Sequence, residues 1–140
     1  MRVLFDTNVV LDLLLDREPF VREALYLFTR VERSELVGLL CATTVTTVHY
    51  LLSRALERRE ALGHVRTLLS LFEVAPVNRV VLEDALALGF SDFEDAVIYS
   101  AALHAGADSV VTRDIAGFKK TRIPIYTPEE LVGILEELGK

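Results

Sequence analysis

Val3-Leu4-Phe5-Asp6-Thr7-Asn8-Val9-Val10-Leu11-Asp12-Leu13-Leu14-Leu15 reads as a strand, an acid and a helix in immediate succession. Val3–Phe5 is apolar at every position. That is too uniform for a strand with one wet face, and it predicts a strand buried on both sides, as in a parallel sheet. Asn8–Leu15 is apolar all round apart from Asp12, which predicts a largely buried helix. Asp6 stands at the junction between the two.

Outward from this unit the alternation continues. Glu18–Val31 has helical periodicity through Phe20, Ala24, Leu27, Phe28 and Val31. Leu36–Ala42 reads as a strand, Thr44–Leu56 and Glu60–Leu71 as helices, and Phe72–Val77 contains a third strand. Val80–Leu88 is helical and stops at Gly89. Ser91 opens a helix to about His104, with Ser91 and Glu94 spaced as a capping box. Ser109–Thr112 is a fourth strand. Ile123–Tyr126 is a fifth, at an edge where Pro124 is tolerable. Thr127-Pro128-Glu129-Glu130 starts the last helix, with Thr127 as cap, Pro128 at its first position and Glu130 closing a capping box. Strands alternating with helices predict a three-layer α/β/α fold with a central, mostly parallel sheet of four to five strands. The 140 residues suit one domain spanning 1–140.

Half the residues are apolar (51%) and 26% are charged, which excludes a disordered chain. The net charge of −6 excludes nucleic-acid binding through bulk charge alone; any such grip must be local or carried by cations. Cys41 is the one cysteine, so no intrachain disulfide forms, and a buried apolar role is expected. The apolar run Val3–Phe5 is broken at once by Asp6, and no signal peptide is visible. Leu36–Ser53 is free of Asp, Glu, Lys and Arg, but it reads as a strand running into a helix and is a poor membrane span. A cytoplasmic protein without membrane contact is expected.

In open parallel sheets, sites form outside the carboxyl ends of the strands. Asp6 directly follows the first strand, and Asp114 follows the fourth by two residues. Asp95 stands at the entrance of Ala96–Ala105, a helix of almost entirely small or apolar residues and hence internal. Asp92, three residues earlier, shares its face. Carboxylates brought within about 5 Å repel by roughly 3 kcal/mol per pair at an effective dielectric near 20. A divalent cation removes that cost, and all-oxygen ligation suits Mg²⁺ or Mn²⁺. Each acid also has a plain structural reading: Asp6 as a helix cap, Asp114 as a cap on Ile115–Phe118, and Asp92 and Glu94 as first-turn acids.

Asp6-Thr7-Asn8, then Asp92-Phe93-Glu94-Asp95-Ala96, then Thr112-Arg113-Asp114 resemble the PIN domain, a family that includes the VapC-type toxins of toxin–antitoxin pairs. The resemblance spans nearly the whole chain. It implies Mg²⁺- or Mn²⁺-dependent cleavage of RNA, with Asp6, Asp95 and Asp114 as the catalytic and metal-holding acids; Asp92, on the face of Asp95, is a further candidate ligand beside them. It implies that Thr7 and Asn8 orient the first acid and that Thr112 supports the site. As partners it implies an RNA substrate, a small antitoxin and a homodimer. Two positions depart from the family. The helix after the second strand lacks the usual acid, and His49 falls near that place, either in contact with the site or packed. Gly117-Phe118 replaces an Asp-Phe pair.

Arg113, Lys119, Lys120 and Arg122 lie beside the last acid in sequence and are candidates for phosphate contacts, or else a solvated loop. Arg54, Arg58 and Arg59 form a second candidate patch, or else plain surface. Phe20, Tyr26 and Leu51 are candidates for dimer or antitoxin contacts. A PIN-like module that binds RNA or a protein without cutting is the alternative function. A phosphatase with Asp-x-Asp is disfavoured by Asn8, and a P-loop enzyme by the lack of a Gly-rich Lys-Ser/Thr turn.

Overall fold

Val3, Leu4 and Phe5 are completely buried, and the strand they build, β1 (Arg2–Phe5), is the middle of the sheet. The structure, a computed structural model, describes residues 1–139. After β1 come α1 (Thr7–Leu14), α2 (Val21–Glu32), β2 (Val37–Cys41), α3 (Ala42–Ala55), α4 (Arg58–Leu71) and β3 (Glu73–Ala75). Then follow α5 (Arg79–Ala87), α6 (Phe93–His104), β4 (Ser109–Val111), β5 (Ile125–Tyr126) and α7 (Pro128–Leu138). One 3-10 turn, Ile115–Gly117, lies behind β4.

The sheet has five strands in the order β3-β2-β1-β4-β5, and every pairing is parallel. Successive side chains of a strand face opposite ways, and the two apolar layers follow that period. Val3 and Phe5 pack with α1, α2, α3, α4 and α7, whereas Leu4 packs with α5 and α6. This is the expected α/β/α sandwich. Phe5 meets Phe28 and Phe72 edge-on, with ring centroids 5.6 and 5.2 Å away. A side chain at Gly38 would strike the Phe72 ring at 2.5 Å, so only glycine lets β2 lie against that trio.

On the other layer, Ala96–Ala102 of α6 is buried, as its composition demands. Cys41 is buried and unpaired. The capping box of α7 forms as read: Glu130 N–H donates to Thr127 Oγ1 (3.1 Å) and Thr127 N–H to Glu130 Oε1 (2.9 Å).

Several boundaries differ from expectation: α3 begins two residues early, at Ala42, and β5 two residues late, at Ile125. α2 begins at Val21, because Arg17–Phe20 folds into a turn in which Phe20 and Val21 N–H both donate to the Arg17 carbonyl. α4 begins at Arg58, so Arg58 and Arg59 are helical. α6 is capped by Asp92, whose backbone is extended and whose Oδ1 accepts from Asp95 N–H at 3.2 Å; Ser91 stays outside. Among the described residues no helix is long and apolar enough to cross a membrane.

The strand order reverses at β1, whose two neighbours are β2 and β4. Chain leaving β1 and chain leaving β4 therefore emerge side by side, at the place where open parallel sheets form their crevice.

Candidate active site

Asp6 is fixed from both sides of that crevice. Its N–H donates to the Val111 carbonyl of β4 at 2.9 Å. Its Oδ1 accepts from Thr7 N–H at 2.8 Å, which caps α1. Its Oδ2 accepts from Thr112 Oγ1 at 2.7 Å and, more weakly, from Asn8 Nδ2 at 3.5 Å. Capping and a place in the acid cluster are thus one arrangement. Asp6 is only 5% exposed. Burial, the largest cause, holds its carboxyl above the ordinary 3.8; the bonds from Thr112 and Thr7 oppose it, and repulsion from Asp114 and Asp92 adds to it.

Thr112 is completely buried and serves two acids. While its hydroxyl donates to Asp6, it accepts from Asp114 N–H at 3.0 Å. Asn8 ties the same loop: its Nδ2 lies 3.4 Å from Thr112 Oγ1 and its Oδ1 accepts from Arg113 N–H at 3.3 Å. The Asp114 carboxylate makes no capping bond to the turn behind it. It faces Asp95 across Gly117 instead. A Cβ at Gly117 would lie 2.7 Å from Asp95 Oδ2 and 3.4 Å from Asp114 Oδ2, so both oxygens crowd one point.

Asp95 feels every acid of the group. Its carboxyl is pushed up to about 6, first by burial and then by Asp6, Asp92, Asp114 and Glu94. Asp6, Asp92, Asp95 and Asp114 therefore form one electrostatic unit, assembled from β1, the start of α6 and the loop after β4.

The remaining candidates fall elsewhere. Thr7 Oγ1 lies 3.0 Å from Thr44 Oγ1, so the α3 side chain joined to this site is Thr44. His49 is bonded within its own helix, to Ser53 at 3.4 Å. The Arg113 guanidinium is committed to Asp12, with Nε–Oδ2 2.6 Å and Nη2–Oδ1 3.1 Å, and it covers the Phe20 ring at 3.9 Å. Lys119, Lys120 and Arg122 are exposed in the loop before β5. Tyr26 and Leu51, candidates for partner contacts, are half-buried against the core. Asp12 and Thr44 were not singled out from sequence. The signal for Asp12 was present, because a carboxylate inside an otherwise apolar helix must find a cation.

A family profile described as PIN domain matches residues 2–116, most of the chain. The chain belongs to the PIN domain family. It is 25% identical over 134 residues to a ribonuclease VapC1 of Aquifex aeolicus (strain VF5), covering 92% of each protein. Among solved structures it resembles a toxin–antitoxin complex from Klebsiella pneumoniae, with TM-score 0.69, 23% identity, and coverage of 90% of this chain and 97% of that one. It also resembles VapBC2 from Rickettsia felis bound to a promoter DNA fragment, with TM-score 0.66, 15% identity, and coverage of 91% and 98%.

In this PIN site every charged donor is a carboxylate, the donor chemistry of a hard divalent cation. The acids are not closed into a cage: among the described residues no three His, Cys, Asp or Glu side chains form a ready-made metal-binding group.

Proposed function

We propose that the chain is an endoribonuclease dependent on Mg²⁺ or Mn²⁺ and the toxin of a toxin–antitoxin pair. The observation that carries this reading is the electrostatic unit of Asp6, Asp92, Asp95 and Asp114 at the reversal point of the sheet. Its relatives support it: the Aquifex protein is named a ribonuclease, and the Klebsiella structure is a toxin–antitoxin complex.

Asp6, Asp95 and Asp114 would hold the cations, with Asp92 at the rim. Bound divalent cations supply an activated water and stabilise charge on a scissile phosphate and its leaving oxygen. The chain's own residues do the positioning. Thr112 and Thr7 fix the two oxygens of Asp6, and Thr112 also anchors the Asp114 backbone. Gly117 leaves room for the Asp95 carboxylate to turn toward Asp114. Asp95, with its carboxyl near 6, is ionised over most of the neutral range and would be relieved by a cation.

The test replaces Asp6 or Asp95 by Asn and follows RNA cleavage with Mn²⁺. Each variant is expected to lose most of its activity. Undiminished cleavage in both would reject the mechanism.

A second reading is a PIN fold that holds RNA or a protein without cutting. The sequence of α3, which carries neither Asp nor Glu where the family usually has an acid, favours it. Titration calorimetry separates the two: no heat of binding at millimolar Mg²⁺ or Mn²⁺ selects the binder.

A further inference from the structure

We infer that the paired helices α3 and α4 form the grip for the phosphates of single-stranded RNA running out of the acidic site; this rests on the ribonuclease reading above. The chain is acidic overall, yet these two helices carry four arginines (Arg54, Arg58, Arg59, Arg66) against one glutamate, Glu60. Among the described residues none of the four arginines forms an ion pair. Across residues 54–66 arginines outnumber acids two to one, the acids being Glu57 at the cap of α4 and Glu60 in its first turn.

Their placement gives the charge a shape. Arg58, Arg59, Leu62 and Arg66 line an open concavity of about 520 Å³. Residues 58, 62 and 66 share one helical face. The guanidinium fork matches phosphate oxygens two at a time. One turn of α3 before Arg54, Tyr50 is 60% exposed, with the Arg54 guanidinium 5.8 Å from its ring centroid. An exposed aromatic beside unpaired arginines is the combination on which single-stranded bases stack while the backbone is held.

The helices also lead to the acids. Thr44 near the start of α3 bonds Thr7, next to Asp6. Arg54 lies ten residues further along the same helix, about 15 Å at 1.5 Å per residue. A strand with its reacting phosphate at the acids reaches the arginines within a few nucleotides. An acidic polypeptide would answer the charge but would leave the continuity with the acids and the open ring of Tyr50 without a role.

The experiment measures binding of fluorescent oligouridine of about 16 nucleotides by anisotropy, without divalent metal and across a salt series. The variants are Arg58→Ala/Arg59→Ala/Arg66→Ala and Tyr50→Ala, with melting curves to show that both fold. Each phosphate contact contributes about 0.7 to the salt slope of single-strand binding, so losing three makes the slope shallower by about 2. Tyr50→Ala is expected to weaken binding about tenfold with the slope unchanged. With Mn²⁺ present, the triple variant should cut a tetranucleotide like the parent but cut long RNA more slowly. An unchanged slope with long RNA still cut overturns the inference and leaves the ribonuclease reading intact. A parent chain that cuts neither RNA overturns the ribonuclease reading. Polyglutamate binding that is lost in the triple variant, with RNA binding untouched, assigns the face to an acidic protein and also overturns the inference.

Discussion

Arg113 and Asp12 bind each other through two parallel hydrogen bonds across 101 residues of chain, joining α1 to the loop that carries Asp114. Asp12 is 1% exposed, and Arg17 approaches it only to 3.8 Å. A buried carboxylate stripped of its main partner is costly, far more than the pair is worth relative to an apolar replacement. Arg113→Ala is therefore expected to destabilise the fold by roughly 3 kcal/mol in urea denaturation. Adding Asp12→Leu to that variant should recover most of the loss. If the double variant is as unstable as the single one, the cost lies in the Phe20 contact and not in the stranded charge.

The acid cluster makes the metal-free protein weaker at neutral pH. In the unfolded chain Asp95 loses its proton near 3.8, whereas in the fold it keeps it up to about 6. Between these values the unfolded state holds fewer protons than the folded one, so stability falls as pH rises through this window. Asp6 is shifted in the same direction and adds to the slope. Without metal, the melting temperature should be higher near pH 5 than near pH 7. Asp95→Asn should reduce that difference and stabilise the metal-free protein at pH 7. Mn²⁺ should raise the parent's melting temperature at pH 7 more than at pH 5, because binding requires the ionised acids. A flat pH profile without metal would show that the acids do not repel.

How far these features could be read in advance depends on whether their cause is local. β1 was legible because Val3-Leu4-Phe5 leaves no polar face, and α6 because Ala96–Ala105 leaves almost none. Asp6 and Asp114 followed from standing just after strands of a parallel sheet. The Asp12–Arg113 pair was not legible, since it depends on α1 lying beside the loop after β4. Thr44 was hidden among Thr43, Thr46 and Thr47; its bond to Thr7 and its burial in phase with Val48 and Leu52 distinguish it. The α6 cap was misplaced because Ser91 and Asp92 are near-equal capping residues, and backbone geometry chose Asp92.

Thr112 has no slack in its bonding. It is completely buried, gives its proton to Asp6 and accepts from Asp114 N–H. Thr112→Val keeps the shape and removes both bonds, together with the weaker one from Asn8 Nδ2. Leaving Asp114 N–H without its acceptor is expected to cost about 1–3 kcal/mol. Mn²⁺ affinity, read by calorimetry, should fall about 10- to 100-fold, the usual effect of losing a group that orients a ligand. Thr112→Ser keeps the hydroxyl and should restore most of the affinity. If serine fails where threonine works, the methyl group and not the bonding is what matters.

Gly117 offers the sharpest separation of stability from chemistry. Its backbone lies outside the left-handed region, and the atoms nearest a Cβ there belong to the carboxylates of Asp95 and Asp114. Gly117→Ala should thus leave stability unchanged or raise it by up to about 1 kcal/mol, through the lower entropy of the unfolded chain. The new methyl group would occupy the space 2.7 Å from Asp95 Oδ2 and force that carboxylate away from Asp114. Mn²⁺ affinity is expected to fall about tenfold, because a ligand displaced by an ångström no longer shares the ion. Gly133→Ala, where nothing lies within 4 Å, is the control and should change neither quantity beyond the helix preference of alanine. If Gly117→Ala binds Mn²⁺ like the parent, then Asp95 and Asp114 do not share a cation, and the acids act as separate sites.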